Sequence, residues 1–335
     1  MKKIIILLIV ILLTGCGGVD KDKLINSFKN DVESSKSYTL SSKMEIYNAE
    51  DTFTYDIYVA YMDDDYFKVD MVNTLSNHEQ IILRNKGEVY VVTPSLNKSY
   101  KFVSEWPYNS SQSYILNSLV KDLDEDDDIK FEEREKEYAL TVDVNYPNND
   151  NLEYEVLLFD KKKNLKSVLV YDDQDVVAIK VVFNKIDFKA NLSESDFSVD
   201  KMIKDNCCNS EVTDNTEDTS ILDDIVYPLY VPANTYLKNR ETISTENGER
   251  VILTFNGEKN FVLIEEMSSV NDEFEIIPIY GEPLMLSNTI GALGTNSLTW
   301  SNNNMDYYLT SNDLTTSEIL SIADSLSVAN IIEEK

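Results

Sequence analysis

The chain has 335 residues, long enough for two domains, and sets 60 acidic against 30 basic side chains for a formal net charge of −30. Such a surface repels nucleic-acid phosphates and anionic lipid headgroups alike, so no nucleic acid is expected as a partner and the protein body is a poor membrane binder. With 42% hydrophobic residues, twenty tyrosines and twelve phenylalanines, the chain can still bury a core and is not a disordered acidic polymer.

Lys2 and Lys3 open the chain, followed by an unbroken apolar run from Ile4 to Leu13 and then Thr14, Gly15 and Cys16. A basic start, a short hydrophobic core and a small-residue cut site make a secretory signal peptide. The run is too short for a bilayer span, which takes roughly 20 residues. An ordinary cleaved signal has no need of a cysteine at this point, whereas Leu13-Thr14-Gly15-Cys16 is the pattern of a bacterial lipobox. The expectation is a lipoprotein signal peptide over 1–15, lipidation of Cys16 as the mature N-terminus, and a lipidated tether over 16–20. Two acyl chains anchor far more firmly than one, which places the protein on the outer face of the cytoplasmic membrane. Without Lys2 and Lys3 the chain keeps 28 basic and 60 acidic groups, net −32, so the acyl chains must supply the membrane affinity.

Leu24, Ile25, Phe28 and Val32 fall at helical spacing and predict a helix over 21–35. The period then changes to two. Tyr38, Leu40, Met44 and Ile46 alternate, then Phe53 to Tyr61, Phe67 to Met71, Ile81 with Leu83, Val89 with Val91, and Tyr100 with Phe102. Short polar turns separate these runs, which pair most simply as an antiparallel meander. Ile115, Leu116, Leu119, Val120 and Leu123 predict a second helix ending in the acidic run Asp122 to Asp128. Five further strands are expected at Tyr138 to Val144, Tyr154 to Phe159, Val168 to Tyr171, Val177 to Phe183, and Ile186 with Phe188. One apolar face throughout implies a curved antiparallel sheet over 21–202, covered by the two helices.

Residues 203–225 lack periodicity and read as an acidic linker. Beyond it, short strands are expected at Val251 to Phe255, Phe261 with Leu263, Phe274 with Ile276, Leu298 with Trp300, and Met305 to Leu309. Thr315-Thr316-Ser317-Glu318 is a capping box ahead of a helix whose apolar face is Ile319, Ile322, Ala323 and Leu326. The 226–335 segment is thus a smaller α+β domain, and the fold class of the whole is α+β.

Little in the chain points to chemistry. Cys207 and Cys208 are adjacent, unlike zinc ligands with about two residues between them; they either form a strained vicinal or inter-chain disulfide or stay free thiols. His78 is the single histidine, has no neighbouring nucleophile and is expected at the surface. The Asp122–Asp128 run lacks the glycine and ligand spacing of a calcium loop and reads as a solvated helix end. Phosphate-loop, dinucleotide and nucleophile-elbow motifs are absent, so neither enzyme activity, nor a metal, nor a cofactor is expected. The apolar side of the large sheet is either plain core or, if the helices cover it incompletely, a groove for an acyl chain or a partner's apolar segment.

The order helix, meander, helix, meander over 21–202 resembles the LolA/RseB-like superfamily of half-open barrels. Glu79 to Pro94, with its Tyr90-x-x-x-Pro94 turn, is similar to that family's paired strands, Asp160 to Leu165 to a later hairpin, and Ser193 to Val199 to its closing segment. The stretches Gly281-Glu282-Pro283, Leu298-Thr299-Trp300 and Tyr307-Tyr308-Leu309 resemble a small module that ends several Gram-positive sporulation and envelope lipoproteins. Together they resemble a Firmicutes germination or sporulation lipoprotein. The resemblance implies an anchored envelope protein that binds a protein partner in a cell-wall or sporulation process, or alternatively a carrier of lipid or lipidated ligand. It assigns no ligand-binding residue.

Overall fold

The computed structural model describes residues 19–48, 51–63, 65–199, 201–202, 225–245, 248–269, 274–302 and 304–333, with side chains up to 326. Cys16, Cys207, Cys208, the 1–15 signal and nearly all of the 203–225 linker lie outside the described residues.

Helix α1 (Lys21–Glu33) starts where Asp20 Oδ1 accepts from Lys23 N at 2.8 Å, and it buries Leu24, Phe28 and Val32. Six strands follow, β1 (Ser37–Asn48), β2 (Asp51–Met62), β3 (Tyr66–Asn73), β4 (Glu79–Asn85), β5 (Glu88–Thr93) and β6 (Lys98–Phe102), each antiparallel to the next. Helix α2 (Leu116–Glu125) leads to β7 (Lys130–Glu133), β8 (Glu137–Asp143), β9 (Leu152–Asp160), β10 (Leu165–Asp172) and β11 (Val177–Asp187). β11 closes back on β1, with Met44 opposite Val181. The expected separate strand at Ile186 and Phe188 does not form, since Ile186 lies at the end of β11 and Phe188 just beyond it, and the fifth strand is instead β7. Its Lys-Phe-Glu-Glu sequence lies on the sheet edge with little buried, so it shows no apolar alternation.

The second half adds β12 (Thr235–Thr245), β13 (Gly248–Gly257), β14 (Phe261–Met267), β15 (Glu275–Ile279), β16 (Gly281–Met285), β17 (Ile290–Gly294), β18 (Ser297–Asn302), β19 (Met305–Thr310) and helix α3 (Thr316–Glu333). Seven of these strands form a sheet in the order β12-β13-β14-β19-β18-β17-β16. The eighth, β15, leaves it and pairs in parallel with β6, completing a twelve-stranded sheet. The fold is therefore α+β, two sheets antiparallel but for the β15–β6 pair and few helices, with one strand of the later half donated to the first sheet.

One core runs along the concave face of the large sheet. It joins Val91 and Tyr100 near one end, Leu40 and Val59 in the middle, and Leu140 and Leu157 near the other, which only a curved sheet can bring together. Phe28 of α1 meets Phe159 edge-on at 5.5 Å, and Leu116 and Leu119 of α2 fill the rest. Ile290 and Ala292 of β17 belong to this same core, so the second half also covers the concave face. On the opposite face Phe197 and Met202 pack over Tyr66, Ile81, Leu83 and Tyr90, which explains why β4 and β5 are buried on both sides.

Candidate functional site

Where the two sheets meet they leave a cleft of about 600 Å³. One wall is the end of β1 and the β10–β11 hairpin, with Ile46, Tyr47, Asn48, Asp172 and Ile179; another is the loop through Trp106, Asn109 and Tyr114. The facing wall is the β16–β17 hairpin, from Glu282 to Ile290, together with Leu320, Ser321 and Asp324 of α3.

Each wall is fixed by identifiable contacts. Buried Arg84 on β4 donates Nη1 to the backbone oxygens of Ser104 at 3.3 Å and Trp106 at 3.0 Å, while its Nε meets Asp65 Oδ1 at 2.5 Å. A five-donor guanidinium can satisfy several carbonyls of one irregular loop at once. Gln80, also on β4, crosses to β17, where its Oε1 accepts from Ile290 N at 2.7 Å. Tyr55 Oη donates to Ser287 O at 3.0 Å, and Asn48 Nδ2 donates to Ser287 Oγ at 3.0 Å. Asp324 Oδ1 accepts from Ser287 N at 2.9 Å, and burial pushes its carboxyl above the usual range. The capping box holds α3 as expected: Glu318 N donates to Thr315 Oγ1 at 3.2 Å and Thr315 N to Glu318 Oε2 at 2.8 Å.

The composition of the cleft defines what it can hold. Apolar residues of both sheets supply contact area, while Asn48, Asn109, Gln112, Asn148, Asn149 and Asn151 offer amide donors and acceptors. Such a lining suits a chain with its own backbone hydrogen-bonding groups better than a bare acyl chain, which has none.

A second polar site lies behind α2. The expectation of a solvated helix end at Asp122–Asp128 holds for the exposed Asp124, Glu125, Asp127 and Asp128 but is corrected at Asp122. Asp122 is only 3% exposed, because it falls three residues after Leu119 on the face of α2 that packs on the sheet. Its Oδ1 accepts from Ser111 Oγ at 2.8 Å, and Oδ2 has no hydrogen-bond partner among the described residues. Glu155 on β9 is fully buried nearby with both oxygens unpartnered. Burial raises Asp122 to about 6, against the opposing Ser111 hydrogen bond, and burial together with the charge of Asp122 raises Glu155 further above the carboxylate range. Among the described residues no three His, Cys, Asp or Glu side chains are placed to share a metal ion.

His78 is likewise corrected from the surface position expected of it. It is half-buried with Nε2 shielded and unpartnered among the described residues, and burial holds it below the usual histidine range. The tight turn before β4 is closed by Asn73 N donating to His78 O at 3.0 Å. Cys16, Cys207 and Cys208 were the other residues singled out in the sequence, and all three lie outside the described residues. Among those residues no helix is long and apolar enough to cross a membrane.

Comparison with known proteins gives the following. The family described as "Sporulation protein YdcC-like" matches residues 1–197. The sporulation protein YdcC of Bacillus subtilis (strain 168) is 34% identical over 321 residues, covering 96% of this chain and 94% of that protein. Among solved structures, the Pseudomonas aeruginosa MucA/MucB complex is similar at 11% identity and TM-score 0.33, covering 91% of this chain and 98% of the matched one. The LolA superfamily protein NE2245 from Nitrosomonas europaea is similar at 10% identity and TM-score 0.33, covering 55% and 100%.

Proposed function

The chain belongs to the YdcC-like sporulation protein family, and from that premise we propose that it is a non-enzymatic, membrane-anchored envelope lipoprotein that holds a segment of a partner protein between its two sheets. The observation that supports this best is the cleft itself. Its apolar walls are edged by a run of side-chain amides, and the single histidine of the chain is not among its lining residues. Leu13-Thr14-Gly15-Cys16 supports anchoring through lipidated Cys16 on the outer face of the cytoplasmic membrane. A protein fixed to one membrane suits a regulator or cofactor of a sporulation-linked cell-wall process better than a shuttle.

The test is purification of the full chain from detergent-solubilised membranes of sporulating cells, beside a Ser321→Trp variant that fills the cleft from α3. The wild type should carry a protein in fixed stoichiometry and the variant should lose it. Native mass spectrometry that finds bound acyl species in the wild type instead would replace the partner-binding reading with that of a lipid carrier. An empty wild-type monomer would overturn both.

A further inference from the structure

Resting on that reading of the cleft, we propose that the segment it takes is cationic, an extended stretch in which lysine or arginine alternates with apolar residues. Among the described residues the lining contains three carboxylates, Asp172, Glu282 and Asp324, and not one lysine or arginine. That imbalance is local as well as global. Elsewhere half-buried carboxylates find cations, as Asp306 finds Lys98 at 2.9 Å and Glu266 finds Arg250 at 2.6 Å. Among the described residues none of the three cleft carboxylates is ion-paired.

The three acids come from three different elements, Asp172 across the cleft from Glu282 and Asp324, and each is held in place by hydrogen bonds. Asp172 Oδ1, at the end of β10, accepts from Gln174 N at 3.0 Å and Val176 N at 2.8 Å. Glu282 Oε2, on β16, accepts from Asn109 Nδ2 at 2.8 Å and from Ser104 Oγ. Asp324, on α3, accepts from Ser287 N. Three fixed carboxylates around apolar walls form a preorganised receptor for cations separated by apolar side chains, since little ordering cost remains when the ligand arrives. An extended chain projects its side chains alternately to opposite faces, so one face can meet the apolar floor while the other meets the acids. A phosphorylated headgroup or an acidic peptide would find amide and hydroxyl donors there but no cation, and would be repelled by the three carboxylates. A cleft of about 600 Å³ admits the few side chains of a short segment rather than a folded domain.

The measurement is fluorescence anisotropy on the full chain in detergent micelles with three labelled octapeptides, (Leu-Lys)4, (Leu-Ser)4 and (Leu-Glu)4. The lysine peptide should bind at least tenfold tighter than the serine peptide, and the glutamate peptide should not bind. Asp172→Asn/Glu282→Gln/Asp324→Asn, which keeps the hydrogen-bond acceptors, should erase the tenfold preference. A control with the same charge change on the exposed side of α1, Asp22→Asn/Asp31→Asn/Glu33→Gln, should keep it. Should the triple cleft variant fail to fold, Asp172→Asn alone should still weaken the lysine peptide severalfold. Equal binding of the lysine and serine peptides, or equal loss in the α1 control, would overturn the cation preference and leave the cleft reading standing. Binding of none of the peptides would overturn both.

Discussion

The side-chain amide of Gln80 grips the backbone of Ile290 from both sides, its Oε1 accepting from Ile290 N at 2.7 Å and its Nε2 donating to Ile290 O at 3.3 Å. Thr289 Oγ1 also donates to the same Oε1 at 3.0 Å. One glutamine thus stands in for a missing strand partner and ties β4 of the first sheet to β17 of the second. Gln80→Ala leaves a buried donor and acceptor unmet, each costing about 1–3 kcal/mol. The expected outcome is a loss of about 3 kcal/mol in urea unfolding. A second transition should appear as the two sheets unfold separately.

Asp122 and Glu155 set a pH dependence opposite in sign to that of a salt-bridged acid. Their carboxyls are raised in the fold, Asp122 to about 6, so the folded state binds more protons than the unfolded chain. Their contribution is present below the unfolded value of about 4 and is lost as pH rises through about 6. Ionising Asp122 in the fold costs roughly 3 kcal/mol at 1.36 kcal/mol per pH unit. Asp122→Asn, which can still accept from Ser111, should flatten the fall in stability between pH 5 and pH 7. Melting temperatures measured across that range check it, and an unchanged slope would remove Asp122 as the source.

Much of this architecture is legible in the chain because one buried face imposes its period. β1 to β5 and α1 to α3 all carry apolar residues at the spacing of their element, and Thr315 with Glu318 announces the start of α3. β12 is hidden because both its faces are exposed, so residues such as Lys238 and Arg240 face solvent with no apolar alternation to mark a strand. β16 and β17 contain Gly281, Pro283, Gly291 and Gly294, which read as turns; Pro283 is tolerated because β16 is an edge strand. Asp122 carried a usable signal, since it shares a helix face with Ile115 and Leu119, and so did Glu155, which alternates with Leu157 and Phe159. The surrounding run of acids masked the first. The cleft was not legible, because its walls come from segments up to about 280 residues apart and only the packing of β17 on the first sheet brings them together.

If Cys16 is the anchor, its thiol is the sole acceptor of the diacylglyceryl group. Cys16→Ala should abolish incorporation of labelled palmitate and move the protein from the membrane to the soluble fraction. The double change Cys207→Ser/Cys208→Ser should do neither. Retention of Cys16→Ala at the membrane after a high-salt wash would refute the lipobox reading, since the acidic body has no electrostatic affinity of its own for anionic lipid.

Gly281 and Gly294 face each other across the β16–β17 hairpin, yet replacing them should have unequal effects. A Cβ on Gly281 would lie 1.8 Å from the backbone oxygen of Leu293, a neighbour that cannot rotate away. A Cβ on Gly294 would first meet Ser297 Oγ at 2.9 Å, the tip of a small side chain that can turn aside. Gly281→Ala should therefore force the strands apart at a cost near the upper end of overpacking penalties, about 3 kcal/mol, whereas Gly294→Ala should cost less than about 1 kcal/mol. The larger shift also displaces the adjacent Glu282 from Asn109 and Ser104, so Gly281→Ala should weaken ligand capture in the cleft even where it still folds. Denaturant titration of the two variants gives the first comparison, and peptide binding at a temperature where both are folded gives the second. Equal stabilities would mean that β16 approaches β17 less closely than the 1.8 Å contact requires.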